Sequence, residues 1–194
     1  MPIAPRRAFA HAALSAAAVA LTAAAAAAQA PINPFSFGVS AGAAVPTGDG
    51  SDNFNTGYSV DGIIALRVPA LPVSFRGEVG YTRFGVDDAP SGVDGNFRII
   101  SGVANVVLAF PAGPTAVVRP YLIGGVGAYN GRGSVSSGST TINGESDTRL
   151  GLNGGIGIEI PLSGITGFGE VRYTSIFTEG THTNYVPIRF GIRF

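Results

Sequence analysis

Ten charged residues sit where every second residue is apolar, each on the side opposite the apolar ones: Asp61, Arg67, Arg76, Glu78, Arg149, Glu159, Glu170, Arg172, Arg189 and Arg193. Asn153 shares that pattern. Side chains of a strand alternate between its faces, so these groups would converge on one interior. Four carboxylates and six guanidiniums there must pair, because an isolated charge away from water is costly. The fork of an arginine suits a carboxylate. Two chemistries follow. The charges could form a packed ionic plug, or they could line a narrow ion path, or a plug that rearranges to open one.

A second set of acids lies in stretches rich in Gly, Ser, Asp and Thr: Asp49, Asp52, Asp87, Asp88, Asp94, Glu145, Asp147 and Glu179, with Arg132 the clearest base among them. They could bind divalent cations that bridge to an anionic ligand, contact a partner, or simply be solvated. Asp49-Gly-Ser-Asp52 and Asp87-Asp88 lack a calcium-loop spacing, so no metal ligand is assigned. His182 lies near Ser175 and Glu179, a set from which a hydrolytic site could be built. No nucleophile motif surrounds Ser175, however, and no catalytic residue is assigned. Gly124-Gly125-x-Gly127 and Gly154-Gly155-x-Gly157 resemble phosphate loops, but neither is followed by a helical pattern. They read as strand glycines making room in a tight interior. No cofactor is expected.

The elements that must position these residues are strands. Phe35–Val45, Tyr58–Val68, Val73–Phe84, Phe97–Phe110, Thr148–Ile160, Gly167–Phe177 and Tyr185–Phe194 all alternate with period two, and no long stretch has a helical period. A further strand over about Ala116–Asn130 is ambiguous: Leu122, Val126 and Ala128 could face outward, or Tyr121, Ile123 and Tyr129 could. Pro69–Pro72, Pro111–Thr115 and Pro161–Gly164 predict short turns. Pro46–Thr56, Gly85–Asn96, Gly131–Asp147 and Thr178–Asn184 predict long polar loops. Short turns on one side and long loops on the other predict an all-β fold, an eight-stranded antiparallel up-and-down transmembrane β-barrel. A faint repeat, Gly77-Glu78-Val79-Gly80-Tyr81-Thr82 and Gly169-Glu170-Val171-Arg172-Tyr173-Thr174, would place two glutamates on opposite inner walls.

The first 28 residues have a positive start, an apolar alanine-rich run and a small-residue exit. This predicts a secretory signal peptide, with cleavage as late as residue 30, leaving residues 29–194 as the barrel. There is no Cys, which removes disulfides and thiolate metal sites. All twelve basic residues are Arg; after the leader ten face twelve acids. That balance argues against a nucleic-acid partner.

The chain resembles the outer-membrane β-barrel domain family, the small eight-stranded porin-family group that includes the OmpA transmembrane domain, OmpX and OmpW. The carriers are the leader, the eight alternating strands, Arg119-Pro-Tyr-Leu-Ile-Gly-Gly-Val-Gly127, the Gly-Glu-Val-x-Tyr segments and the terminal Phe194. The resemblance implies that Ile188, Phe190, Ile192 and Phe194 form the signal read by the outer-membrane assembly machinery. It implies a non-enzymatic protein of the outer membrane of a Gram-negative-type cell, with a structural or surface-interaction role. Expected partners are outer-membrane lipid or lipopolysaccharide, that machinery, and an extracellular partner of the acidic loops. A narrow channel is the alternative. A lipid-modifying enzyme or a soluble, lipocalin-like binder would need different evidence, the latter an apolar interior.

Overall fold

The structure, a computed structural model, describes residues 34–48, 54–68, 71–85, 93–110, 113, 116–137, 140–178 and 181–194, with backbone alone at 93–94, 135–137, 140–143 and 181. The predicted signal peptide lies outside them, as do Asp49, Asp52, Asp87, Asp88 and Glu179. Eight strands follow one another: β1 (Phe35–Thr47), β2 (Gly57–Arg67), β3 (Val73–Gly85), β4 (Val93–Ala109), β5 (Arg119–Ser137), β6 (Thr140–Pro161), β7 (Thr166–Thr178) and β8 (Thr181–Arg193). Each pairs antiparallel with its neighbours in sequence, and β1 pairs with β8 to close the barrel. Closure runs to the last residue, because Phe37 and Phe194 exchange backbone hydrogen bonds at 3.0 and 2.9 Å. No ladder edge is left open where the wall is continuous, and only such closure lets strands cross a membrane.

The period-two pattern decides which residues meet which medium. Val79 and Phe190, each 69% exposed, stand on the outer wall with Ile64, Phe75, Val126 and Ile156. On the inner wall, Arg76 is 1% exposed, and Asp61, Glu78, Glu170, Arg172 and Arg189 are also buried. A soluble binder with an apolar interior would show the reverse. β5 resolves the same way: Tyr121, Ile123 and Tyr129 are buried inside, while Leu122 and Val126 are exposed. Inner glycines make room for this filling. A Cβ on Gly155 would run into the Val171 carbonyl and the Arg172 backbone.

The structure shortens all four long connections, taking Pro46 and Thr47 of Pro46–Thr56 into β1. Most of Gly131–Asp147, expected as a loop, is strand: β5 and β6 run 19 and 22 residues and pair from Asn130↔Thr148 out to Ser137↔Thr140, with one register shift between Arg132 and Ser134. Backbone pairing is indifferent to side-chain polarity, and Ser, Thr and Val suit it. Gly85–Asn96 and Thr178–Asn184 likewise lose residues to β4, which starts at Val93, and β8, which starts at Thr181. β7 joins β6 only from Gly151↔Ile176, so β4, β5 and the outer half of β6 rise beyond the closed wall as a three-stranded sheet.

Candidate functional site: the charged lumen

The two glutamates of the internal repeat meet at the centre. Glu78 comes from β3 and Glu170 from β7, opposite strands of the barrel. Arg172 donates both terminal nitrogens to Glu78, Nη1 to Oε2 at 2.8 Å and Nη2 to Oε1 at 2.5 Å. The same Nη2 lies 2.5 Å from Glu170 Oε1. Arg76 donates to Glu170 Oε2 at 2.8 Å, and the Tyr121 hydroxyl donates to that oxygen at 2.7 Å. Arg189 ties this pair to Asp61, with Nη2 2.7 Å from Glu170 Oε1 and Nη1 2.9 Å from Asp61 Oδ2. The Ser40 hydroxyl completes Asp61 at 3.2 Å. Below, toward the short turns, Arg193 pairs with Glu159, which also lies 4.0 Å from Arg76. Four carboxylates thus meet four guanidiniums.

Of the residues expected in this network, Asp61, Arg76, Glu78, Glu159, Glu170, Arg172 and Arg189 come together. Asn153 is buried beside them and lines the same small cavity. Arg67 and Arg149 do not join. Arg67 is exposed at the short-turn rim, at the last position of β2. Arg149 lies in the other direction, where its Nε donates to Asp147 at 2.5 Å near the solvent. Alternation assigns a face but not a depth, so it groups residues at the strand ends with those at the centre.

Sequence reasoning missed what brackets the charges. Toward the outer hairpins, Ala44, Phe84, Ile99, Tyr129, Ile176 and Tyr185 form a buried apolar cluster inside the lumen. Phe54, from the β1–β2 connection, packs on it with ring centroids 5.5 Å from Phe97 and 6.2 Å from Phe84. Toward the short turns lie Val107, Tyr121, Ile123 and Phe168. The Arg76 guanidinium sits over the rings of Phe168 and Tyr121, at 5.2 and 5.4 Å from their centroids. Between the ionic layer and the outer cluster lies a cavity of about 20 Å³, bounded by Ser59, Thr82, Asn153, Arg172 and Tyr185. That is room for about one water molecule. Eight strands leave a lumen that side chains can fill, and here they fill it.

His182 stands on β8, opposite Phe177 of β7. Its ring packs edge-on against Phe177 with centroids 5.8 Å apart, and Ser175 is paired in register with Asn184. The terminal residues Ile188, Phe190 and Ile192 line the outer wall, and Phe194 is half-buried.

Comparison with known proteins agrees with this architecture. Among solved structures, the chain is similar to the Neisserial surface protein A (22% identity, 83% of this chain and 96% of that one, TM-score 0.57). It is also similar to a major outer membrane protein of Thermus thermophilus (16% identity, 84% and 99%, TM-score 0.55). A third is Ail, the attachment invasion locus protein of Yersinia pestis (17% identity, 84% and 100%, TM-score 0.52). No curated protein matches. The family model for the outer membrane protein beta-barrel domain matches residues 14–194. The chain therefore belongs to the outer membrane β-barrel domain family and is a protein of the outer membrane.

Proposed function

We propose that this protein is a non-enzymatic scaffold of the outer membrane, exported by its N-terminal signal peptide, that acts through what it displays rather than what it passes. The observation that carries this reading is the lumen: a mutually paired ionic layer held between two apolar clusters. Opening a path would break several buried pairs at once, each costly to lose. The displayed part is the β4–β6 sheet, whose outer β6 segment carries a backbone edge available to an extended partner strand. Ile188, Phe190, Ile192 and Phe194 are the proposed signal for the assembly machinery. Planar-bilayer recording from folded, heat-modifiable protein tests the closed lumen. The expected trace is flat, and stepwise conductance abolished by Glu170→Gln would replace the scaffold with the narrow channel. The surface role is tested by replacing residues 133–145 with a two-residue Asn-Gly turn between the paired Arg132 and Ser146. Cells carrying that variant should keep the barrel and lose attachment to protein-coated surfaces.

A further inference from the structure

The strand register places three arginines in one row on the outer wall. Arg83 of β3 pairs with Arg98 of β4, which pairs with Arg132 of β5. Tyr58 of β2 flanks the row on one side and Ser146 of β6 on the other. Arg83 shares the outward face of β3 with Phe75 and Val79, and Arg98 shares that of β4 with Ile100. Adjacent strands stand about 4.8 Å apart, so three positive groups lie within roughly 10 Å. Like charges directly opposite each other destabilise a sheet. Among the described residues no carboxylate pairs with any of the three. The one hydrogen bond described for their side chains, Arg132 Nε to the Gly144 carbonyl at 3.0 Å, leaves the terminal nitrogens of that guanidinium unused. Asp94 stands two rows further out along β4, opposite Ser136.

The depth of the row identifies what neutralises it. One row inward, toward the membrane, stand Val60, Tyr81, Ile100, Asn130 and Thr148, where the wall changes from apolar to polar. The next row inward is Gly62, Val79, Gly102, Ala128 and Leu150, wholly apolar. Each row is about 7 Å along the strand from the next. The Tyr58 and Tyr81 rings lie 6.3 Å apart on this face, an aromatic pair of the kind found at headgroup level. The arginines thus begin one step above the hydrocarbon, at the end with the long hairpins, which faces the cell exterior. Arginine forks match phosphate oxygens. We propose that Arg83, Arg98 and Arg132 form a binding site for the phosphate groups of a phosphorylated glycolipid in the outer leaflet. This rests on the membrane placement of the wall and not on the closed lumen.

Native mass spectrometry of the folded full barrel in non-ionic detergent, titrated with diphosphoryl lipid A, tests the site. Gel mobility before and after heating certifies folding of each variant. Substituting all three with Gln should weaken lipid binding at least tenfold, while Arg67→Gln at the opposite rim should change it less than twofold. Removing the phosphates from the lipid should weaken binding to the wild type as much as the triple substitution does. Arg98→Gln alone, the centre of the row, should lower affinity severalfold and carries the test if the triple variant does not fold. It should also raise the unfolding temperature of the lipid-free protein by relieving repulsion, a gain a purely structural arginine would not give. Undiminished binding by the folded variants, or an equal loss in Arg67→Gln, would overturn the site. Complete displacement of the lipid by millimolar inorganic phosphate would assign the row to free anions and overturn the lipid reading.

Discussion

At the scale of single residues, Glu170 carries the most. It accepts from Arg76, Arg189 and Tyr121 and touches Arg172, all of them buried. Glu170→Gln leaves those guanidiniums short of a counter-charge, so a loss of roughly 3–5 kcal/mol is expected, as for breaking buried ion pairs elsewhere. Asp147→Asn removes an ion pair near the solvent and should cost about 0.5 kcal/mol or less. Urea titration read by gel mobility separates the two. The inward charges were legible in the sequence because alternation names a face. Arg83, Arg98 and Arg132 were not, because they lie far apart in the chain and only the register makes them neighbours. Phe54 was hidden too: one aromatic in a polar connection gives no period to read.

At the scale of elements, alternation within a strand can be tested on adjacent glycines of β6. A Cβ on Gly155 would strike the backbone of β7, whereas one on Gly154 would come no nearer than 4.0 Å to the Ile123 carbonyl. Gly155→Ala should therefore cost about 1–3 kcal/mol, as overpacking does, and Gly154→Ala should be close to neutral. Equal effects on the urea midpoint would mean that the inward and outward faces of β6 are misassigned. β5 resisted reading from sequence because both its faces are apolar: Tyr121, Ile123 and Tyr129 belong to inner clusters, while Leu122 and Val126 meet lipid. The outer halves of β5 and β6 resisted it because polar strands and polar loops share a composition, and only pairing tells them apart.

At the scale of the whole molecule, closure and filling are separate properties. The wall is closed by backbone pairing between β1 and β8, and the lumen by side chains from all round the barrel. A variant that loosens the filling should therefore keep the wall. Phe54→Ala, which strips a ring from the outer cluster, is expected to leave heat-modifiable mobility intact while lowering the unfolding free energy by about 2 kcal/mol. Loss of the folded band would show instead that the wall depends on its contents. Eight strands, their order and their closed, antiparallel character were readable from turn chemistry and period. The layering of the interior was not, since period carries no information about which inner residues share a level.

The equality of four carboxylates and four guanidiniums in the lumen has an electrical meaning. A single charge carried across a membrane responds to the potential by about 2.3 kcal/mol per 100 mV. A rigid group whose charges sum to zero feels no net force in a uniform field, however many charges it contains. This interior is therefore dense in charge yet blind to voltage, and an applied potential should neither push it out of the barrel nor draw it in. Removing one member, as in Glu170→Gln, would leave the plug with a net positive charge and make its position depend on the sign of the field.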